Sequence, residues 1–155
     1  MHVPFPPAVL LLLFLLSLLD WLERGQVKKL VLVITGVENE EVLERWVFDV
    51  QTDEKVLAAA ANGAAGATVS KSEKEITKEI SAIIRQITSS VSFLPLLEQA
   101  CTFDLLIYTP QDLDTPVSWE ESDPRYITKS NEVKLRSFTT KIHKIETSVA
   151  YRAED

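Results

Sequence analysis

The sequence predicts an α+β domain in which a mainly antiparallel central sheet is backed by helices. Residues 28–35 step from two lysines into a continuous β-branched run, which is typical of a central strand. Residues 42–50 alternate apolar and polar side chains, which indicates a second strand. Residues 72–91 repeat isoleucine at helical spacing. Two strands close in sequence predict a hairpin, and the amphipathic helix predicts a layer on that sheet.

The composition restricts the function classes. A chain of 155 residues with 46% apolar and 25% charged content is long enough for one domain with a core. A net charge of −7 argues against sequence-independent nucleic-acid binding, which needs a basic surface. Cys101 is the single cysteine, so no internal disulfide is possible. Only four glycines occur and no phosphate-loop pattern is present, so we predict no nucleotide and no other cofactor.

The first element is predicted to be a buried helix from Ala8 to Arg24, with Pro7 in its first turn and Gly25 at the C′ position. Its apolar run, Ala8 to Leu19, spans roughly 18 Å as a helix, whereas a hydrocarbon core is about 30 Å thick. No lysine or arginine precedes the run and no small-x-small cleavage site follows it. A membrane or secretory role is therefore the alternative reading.

The predicted hairpin turns at Asn39. On its second strand Val42, Glu44, Trp46, Phe48 and Val50 share one side, which predicts a half-buried strand with Trp46 as a core anchor. Residues 57–70 are mostly small, so this stretch is predicted to be a flexible surface loop.

The second helix is predicted from Ser72 to Val91, where a serine followed three residues later by a glutamate forms a capping box. Its apolar stripe comprises Ile76, Ile80, Ile83, Ile84, Ile87 and Val91. At 100° per residue Arg85 points away from the stripe and Gln86 lies at its flank.

A third strand is predicted from Thr102 to Tyr108, and an acidic loop with prolines follows from Thr109. Two alternating segments, Val133 to Ile142 and Ile145 to Tyr151, then close the chain. The link between them is short, so we expect a tight hairpin.

Catalytic and metal chemistry have little support. Cys101 and His143 could pair as nucleophile and base, but a structural cysteine and a surface histidine are much commoner. The acidic loop lacks the spacing and central glycine of a calcium-binding EF-hand. We therefore predict no metal site and no enzyme.

Eight phrases of the sequence resemble the HORMA-domain family, and within it the mitotic spindle-checkpoint branch, in one order from about Asp20 to Tyr151. Residues 1–19 have no such resemblance, whereas family members carry a first helix, a hairpin and the front of a second helix there. The chain is thus expected to be a partial HORMA domain at 20–155, truncated or re-spliced at its N-terminus, and the loss of a core helix would expose apolar area. The phrases are Asp20-Trp-Leu22, Lys28-Lys-Leu-Val-Leu-Val-Ile34, Glu41-Val-Leu-Glu-Arg-Trp46, Ile84-Arg-Gln-Ile87, Val91-Ser-Phe-Leu-Pro-Leu-Leu97, Phe103-Asp-Leu-Leu-Ile-Tyr-Thr109, Trp119-Glu-Glu-Ser122 and Leu135-Arg-Ser-Phe-Thr-Thr-Lys-Ile-His-Lys144.

The resemblance implies a mobile C-terminal portion, the safety belt, here Thr109 to Asp155. In the family's open state the belt hairpin covers the edge of the third strand. In the closed state the belt lies on the opposite side of the sheet, and a partner peptide adds as a strand on the vacated edge. The implied peptide edge is Thr102, Phe103, Asp104, Leu105, Leu106, Ile107 and Tyr108, and the implied belt residues are Trp119, Phe138, Ile142, His143 and Tyr151.

The resemblance also implies partners. These are the kinetochore mitotic-arrest adaptor and the co-activator of the anaphase-promoting complex, each offering a basic and aliphatic peptide, in the nucleus, at the kinetochore and in the cytoplasm. An open-closed homodimer would use Arg85, Gln86 and Phe93. The alternatives are a non-functional truncated isoform and a membrane-anchored or secreted variant directed by residues 1–20.

Overall fold

A computed structural model of the chain describes residues 7–53, 58, 72–112, 121–140 and 142–153. These residues form two α-helices and a six-stranded antiparallel sheet, so the predicted α+β class is confirmed. The predicted flexible loop at 57–70 lies, except for residue 58, outside this range. The helices are α1 (Pro7–Glu23) and α2 (Glu73–Ser89), and the strands are β1 (Lys29–Gly36), β2 (Val42–Thr52), β3 (Cys101–Tyr108), β4 (Ser130–Lys134), β5 (Phe138–Thr139) and β6 (His143–Arg152).

The strand order is β3-β1-β2-β6-β4, and the short β5 also pairs with β6. The last strand of the chain therefore lies inside the sheet beside β2, with Glu44 opposite Tyr151 and Thr52 opposite His143. The tight hairpin at the C-terminus is confirmed as β5–β6, closed by a hydrogen bond from Thr140 N to His143 O. The predicted segment 133–142 is not one strand, because it is interrupted between β4 and β5.

The β1–β2 hairpin turns where the sequence predicts it. The Asn39 side chain accepts a hydrogen bond from Glu41 N, and Glu40 adopts a positive φ of 55°. Gly36 lies against two side chains at the end of β1, since a Cβ atom there would lie 2.6 Å from Asn39 Oδ1 and from Gln99 Oε1, and both side chains would have to shift to admit it. The core beneath this hairpin consists of Val31, Val33 and Val47, with Val42, Leu106 and Tyr108 packed against it.

The central part of β2 is buried on both faces, so the half-buried strand predicted from its alternation is wrong. Arg45 and Val47 face one side, Glu44 and Trp46 face the other, and all four are buried. Trp46 is the core anchor that was predicted, and its Nε1 donates to the Glu44 carboxylate at 3.1 Å. Burial on the Arg45 face follows from a loop segment that crosses it, which the alternation of β2 alone does not reveal.

Helix α2 begins with the predicted capping box. Ser72 Oγ accepts from Glu75 N, and the Glu75 side chain accepts from Ser72 N. The helix ends at Ser89 and tightens into a 3₁₀ turn over Ser90–Ser92, before the predicted end at Val91. Ile83 is buried, whereas Ile84 and Val91 are exposed, which corrects the predicted stripe. Ile84 lies about 100° around the helix from Ile83, and Val91 lies after the last residue of α2, where the 100° spacing no longer applies.

Helix α1 ends at Glu23, and Gly25 follows at the predicted C′ position with a φ of 69°. Gly25 N donates to Leu22 O and Gln26 N donates to Trp21 O at 2.8 Å, which is the Schellman arrangement. The prediction of a buried helix is wrong. Trp21 is buried and Phe14 and Leu18 are half-buried, but the leucines on the other side are exposed, because nothing in the described part of the chain covers that side. Among the described residues, no helix combines the length and apolarity needed to cross a bilayer.

Candidate functional site

Strand β3 forms one edge of the sheet. It pairs with β1 over its full length, from Lys29 opposite Tyr108 to Gly36 opposite Cys101. Within the described residues no strand pairs with its other side. An unpaired edge presents a row of backbone N–H and C=O groups that a further extended segment can bind.

The side chains of β3 make this edge apolar at one end and polar at the other. Leu106 and Tyr108 pack against the core beneath β1, and Leu105 and Ile107 are half-buried on the opposite face. Phe103 is 63% exposed. A strand added here would therefore meet apolar side chains on both faces at the end from Leu105 to Tyr108. Toward the other end it would meet the carboxylate of Asp104.

Residues 121–127 cross the face of the sheet that carries Arg45. The Arg45 Nε donates to Pro124 O at 3.1 Å, and its guanidinium lies 4.6 Å from the centre of the Tyr126 ring. The Arg45 Nη2 also donates to the Tyr108 hydroxyl at 3.3 Å. Because Arg45 is buried, these contacts satisfy its donors while the crossing segment shields its charge.

Arg125 fixes the same segment to the strands beneath it. Its Nη1 contacts Asp104 Oδ2 at 3.0 Å on β3, and its Nη2 donates to Thr35 Oγ1 at 3.1 Å on β1. Arg125 adopts a positive φ of 52°, and Asp123 Oδ1 accepts from its backbone N. We call Arg125, Asp104 and Thr35 the latch, since they join residues 121–127 to the edge strand and its neighbour.

Beyond the latch, the chain passes to the far side of the sheet and is held against the helices. Gln86 Oε1 accepts from Arg136 N at 2.7 Å, and the Glu79 carboxylate accepts from Thr139 N at 3.1 Å, so α2 contacts the segment around β5. The ring of Tyr151 on β6 lies 6.5 Å from that of Phe93. Helix α2 thus contacts the segment around β5, and Phe93, just after the 3₁₀ turn that follows α2, contacts β6.

His143, at the start of β6, contacts the end of α1. Its Nε2 lies 2.9 Å from Leu22 O, and its backbone N donates to the Thr140 hydroxyl. Burial lowers the pKa of His143 from its ordinary value of 6.5, and the hydrogen bond to the Leu22 carbonyl opposes that shift. Nearby, Ile142 O accepts from Asp53 N, so the turn between β5 and β6 is tied to the end of β2.

The predicted belt and dimer residues occupy different environments. Phe138, Ile142, His143 and Tyr151 are half-buried within or beside the C-terminal hairpin, and Trp119 lies outside the described residues. Among the predicted dimer residues Arg85 is exposed, as its helical position predicts, and Phe93 is 43% exposed. Gln86 is engaged within the chain, which ties α2 to the hairpin.

The structure separates the two residues considered as a catalytic dyad. Cys101 starts β3 and His143 starts β6, and two strands lie between theirs in the sheet. Three spacings of about 4.8 Å separate the two strands, and the residues also lie at opposite ends of the sheet, since Cys101 is opposite Gly36 near the start of β2 and His143 is opposite Thr52 at its end. Roughly ten residues at about 3.3 Å each lie between them along the strands, so they are on the order of 30 Å apart, too far for a nucleophile and its base. In the described ranges no three side chains of His, Cys, Asp or Glu are grouped so as to hold a metal ion.

Sequence reasoning missed the contacts of Arg45 and the latch. The only signal was that Arg45 is charged whereas Leu43 and Val47, which lie on the same side of the predicted strand, are apolar. Nothing local marks Arg125 or Thr35, because their contact joins residues that are far apart in the chain.

The family model of the HORMA domain matches residues 5–143 of this chain. The chain belongs to the HORMA-domain family. It is 60% identical over 136 residues to the mitotic spindle assembly checkpoint protein MAD2A of Dictyostelium discoideum, and 54% identical over 136 residues to MAD2A of Homo sapiens. Each alignment covers 88% of this chain, and 64% and 63% of those two relatives respectively, so the chain spans a little less than two thirds of their length.

Solved structures agree with this assignment. A chain in a crystal structure of the mitotic checkpoint complex is 40% identical, with a TM-score of 0.75 over 90% of this chain and 70% of that chain. The Caenorhabditis elegans HORMA protein HTP-1, solved bound to HTP-3 motif-1, has a TM-score of 0.65 over 97% of this chain and 72% of that one. At 15% identity the second likeness concerns the fold alone.

Among the described residues the C-terminal strands extend one side of the sheet only. The C-terminal hairpin pairs with β2, on the side of the sheet opposite β3, and the edge of β3 is unpaired within the described residues.

Proposed function

We propose that this chain acts in the mitotic spindle assembly checkpoint by binding partner peptides along β3 and retaining them under its safety belt. In this role it inhibits the co-activator of the anaphase-promoting complex. The observation that carries the proposal is the unpaired edge of β3, with residues 121–127 fixed beside it by the latch.

The mechanism follows from backbone chemistry. A peptide in extended form would complete the hydrogen-bond ladder that β3 leaves open, which supplies affinity largely independent of side chains. The half-buried Leu105 and Ile107 would select aliphatic side chains in the peptide. A net charge of −7 favours peptides that also carry lysine or arginine, both in encounter rate and in specificity.

The belt would slow dissociation. Residues 121–127 run from beside β3 across one face of the sheet, and a strand bound beside β3 and held by this segment would leave only after the segment opens. Opening breaks the latch and the contacts of Arg45, and the partner remains bound for as long as these hold. The partners that fit are the kinetochore mitotic-arrest adaptor and the co-activator itself, and the corresponding locations are the nucleus, the kinetochore and the cytoplasm.

The test titrates a fluorescent synthetic peptide of basic and aliphatic residues into the full chain and follows anisotropy. Two further peptides carry N-methyl groups on alternate residues, one set shifted by one position from the other. A strand points successive N–H groups in opposite directions, so only one set removes the donors that face β3. We expect that set to abolish binding while the shifted set binds as the unmethylated peptide does.

Equal binding of both methylated peptides, or no binding of the unmethylated one, would contradict the proposal. Deletion of the residues after Ile142 removes β6, which holds the belt on β2, and should abolish retention of the peptide. Arg85→Glu is the matched control, because Arg85 is exposed on α2 and lies outside the edge and the latch.

We propose further that α2 supports an open-closed homodimer through Arg85, Gln86 and Phe93. Arg85 and Phe93 offer exposed surface, and Gln86 links α2 to the backbone of Arg136 in the belt. A second copy bound to α2 would therefore sense, through Gln86, whether the belt lies against this helix. Arg85→Glu should reduce the fraction of this dimer seen in sedimentation without changing peptide affinity.

A further inference from the structure

A cavity of about 670 Å³ opens at the end of the sheet where β2 begins and β6 ends. Leu43 and Glu44 of β2 line it, together with Arg152 of β6 and the segment 95–99 that follows the 3₁₀ turn after α2. The volume lies within the range of about 300–1,000 Å³ that is usual for binding sites. The cavity lies beyond the strand ends, whereas the peptide edge proposed above is the lateral edge of β3.

The carboxylate of Glu44 is the deciding group in this cavity. The residue is only 6% exposed, and its Oε2 accepts a hydrogen bond from Trp46 Nε1 at 3.1 Å. Among the described residues that is the carboxylate's only hydrogen bond, so its Oε1 has no donor there. This oxygen is not closed off from solvent as the unpaired oxygens of Gln26 and Thr147 are. Because a buried carboxylate without full pairing is costly, a donor that enters the cavity would satisfy it.

The cavity lining carries a net negative charge. Besides Glu44 it includes the exposed Glu98, which forms no ion pair within the described ranges. The lining also includes Arg152, but the guanidinium of Arg152 pairs with the carboxylate of Glu41. Two carboxylates therefore remain for a cationic ligand.

Apolar side chains form the other part of the lining. Leu43 and Pro95 contribute to it, and Leu96 and Leu97 are 78% and 42% exposed. An arginine side chain matches both parts, because its stem packs on apolar surface while its planar guanidinium presents five donors to carboxylates. A small free cation would leave the two leucines exposed. A protein segment that carries the arginine beside an aliphatic residue would cover them.

The chain itself has few cations that could fill the cavity. The described neighbours of its remaining lysines lie at the far end of the molecule. Asp53 N donates to Ile142 O beyond the end of β2, about 30 Å along the strand from Glu44. Ser72 starts α2, a helix about 25 Å long whose other end leads to the cavity. Outside the described residues the basic side chains are His2, Lys55, Lys71 and Lys141. The amino terminus and His2 are therefore the cations that a test has to include.

We infer that the cavity at Glu44 binds an arginine side chain of a partner protein. The guanidinium contacts the carboxylates of Glu44 and Glu98, and an aliphatic neighbour of the arginine packs on Leu96 and Leu97. The inference does not depend on peptide binding along β3, so each can fail without the other.

The test titrates the tripeptide acetyl-Leu-Arg-Leu-amide into the full chain, up to about 10 mM, and follows side-chain resonances by NMR. A matched tripeptide carries citrulline, which has nearly the same shape as arginine and no charge. The arginine tripeptide should shift the Trp46 Nε1–H resonance, which reports on the Glu44 carboxylate, and the methyl resonances of Leu43 and Leu96. The citrulline tripeptide should bind at least about 10-fold more weakly, because its donors are neutral.

Variants of the two carboxylates locate the effect. Glu44→Gln keeps an acceptor for Trp46 Nε1 and removes the charge, so it should weaken the arginine tripeptide by about 10-fold. Glu98→Gln should have a smaller effect, because Glu98 is exposed. Glu73→Gln is the matched control, since Glu73 is an exposed glutamate at the other end of α2. If Glu44→Gln does not fold, the comparison of the two tripeptides on the unmodified chain decides the question.

Equal binding of the two tripeptides, no binding of the arginine tripeptide, or wild-type binding by folded Glu44→Gln overturns the inference. Shifts at Leu105 and Ile107 in place of the cavity residues also overturn it, because the tripeptide then occupies the edge of β3 and supports the proposed function alone. Deletion of residues 1–6 should leave binding unchanged. If only the shortened chain binds, the occupant of the cavity is the chain's own amino terminus and the inference is wrong.

Discussion

Replacing Arg125 by alanine should release the belt segment from the edge strand. The ion pair with Asp104 is largely exposed to water, so it contributes about 0.2–1 kcal/mol. The hydrogen bond to Thr35 involves a charged donor and a hydroxyl that is only 5% exposed, and such bonds contribute about 1.5–3 kcal/mol. Together the two contacts should stabilise the closed segment by about 2 kcal/mol, which corresponds to roughly a 30-fold change in its opening equilibrium.

Native-state hydrogen exchange measures this opening directly. In Arg125→Ala the amides of residues 121–134 should exchange roughly 30-fold faster, while those of β1 and β2 keep their wild-type rates. Peptide dissociation should accelerate by a similar factor if the belt retains the peptide. Arg136→Ala is the matched control, since Arg136 is an exposed arginine of the same belt outside the latch.

Two further variants divide the effect between the contacts. Asp104→Asn should accelerate exchange by less than about 5-fold, because an exposed ion pair is weak. Thr35→Val should account for most of the change. The reasoning fails if Arg125→Ala exchanges within about 3-fold of wild type, or if exchange rises equally across the whole sheet, which would indicate a loss of global stability.

Three other outcomes are expected. Gly25→Ala should lower the free energy of unfolding by about 1–2 kcal/mol in a urea titration, because alanine is strained at a φ of 69°, whereas Gly25→Asn should cost clearly less. Ser72→Ala should lower it by about 1 kcal/mol by removing the cap of α2, while Ser81→Ala in the interior of the same helix should change it by less than half as much. His143 has a pKa lowered in the folded state, so the unfolded chain binds more protons as the pH falls below 6.5; the free energy of unfolding should therefore decrease from pH 7 toward pH 5, and this slope should be shallower in His143→Gln.

The elements that follow from local chemistry were predictable from the sequence. The capping box at Ser72, the αL residue at Gly25 and the turn at Asn39 each depend on side chains within a few residues of one another. The position of β3 follows from its composition in the same way. The family resemblance supplied what local chemistry does not, which is the proposal that β3 is a peptide edge.

The errors concern burial by distant parts of the chain. The alternation of β2 suggests that Arg45 faces solvent, but residues 121–127 cover it, and no local pattern reveals that crossing. The composition of α1 suggests burial on all sides, yet the described residues cover only one of them. The hydrophobicity of a segment indicates whether burial would be favourable. The path of the rest of the chain determines whether another segment covers it.

The position of β6 inside the sheet has a consequence for the order of folding. The β1–β2 hairpin and its pairing with β3 need only residues up to Tyr108, whereas β6 must return to β2 from the far end of the chain, with Glu44 opposite Tyr151. A chain leaving the ribosome therefore reaches a three-stranded sheet with two open edges, those of β2 and β3, before its last strand exists. In the structure His143–Arg152 pairs with the edge of β2, so the edge of β3 is the one that stays unpaired among the described residues.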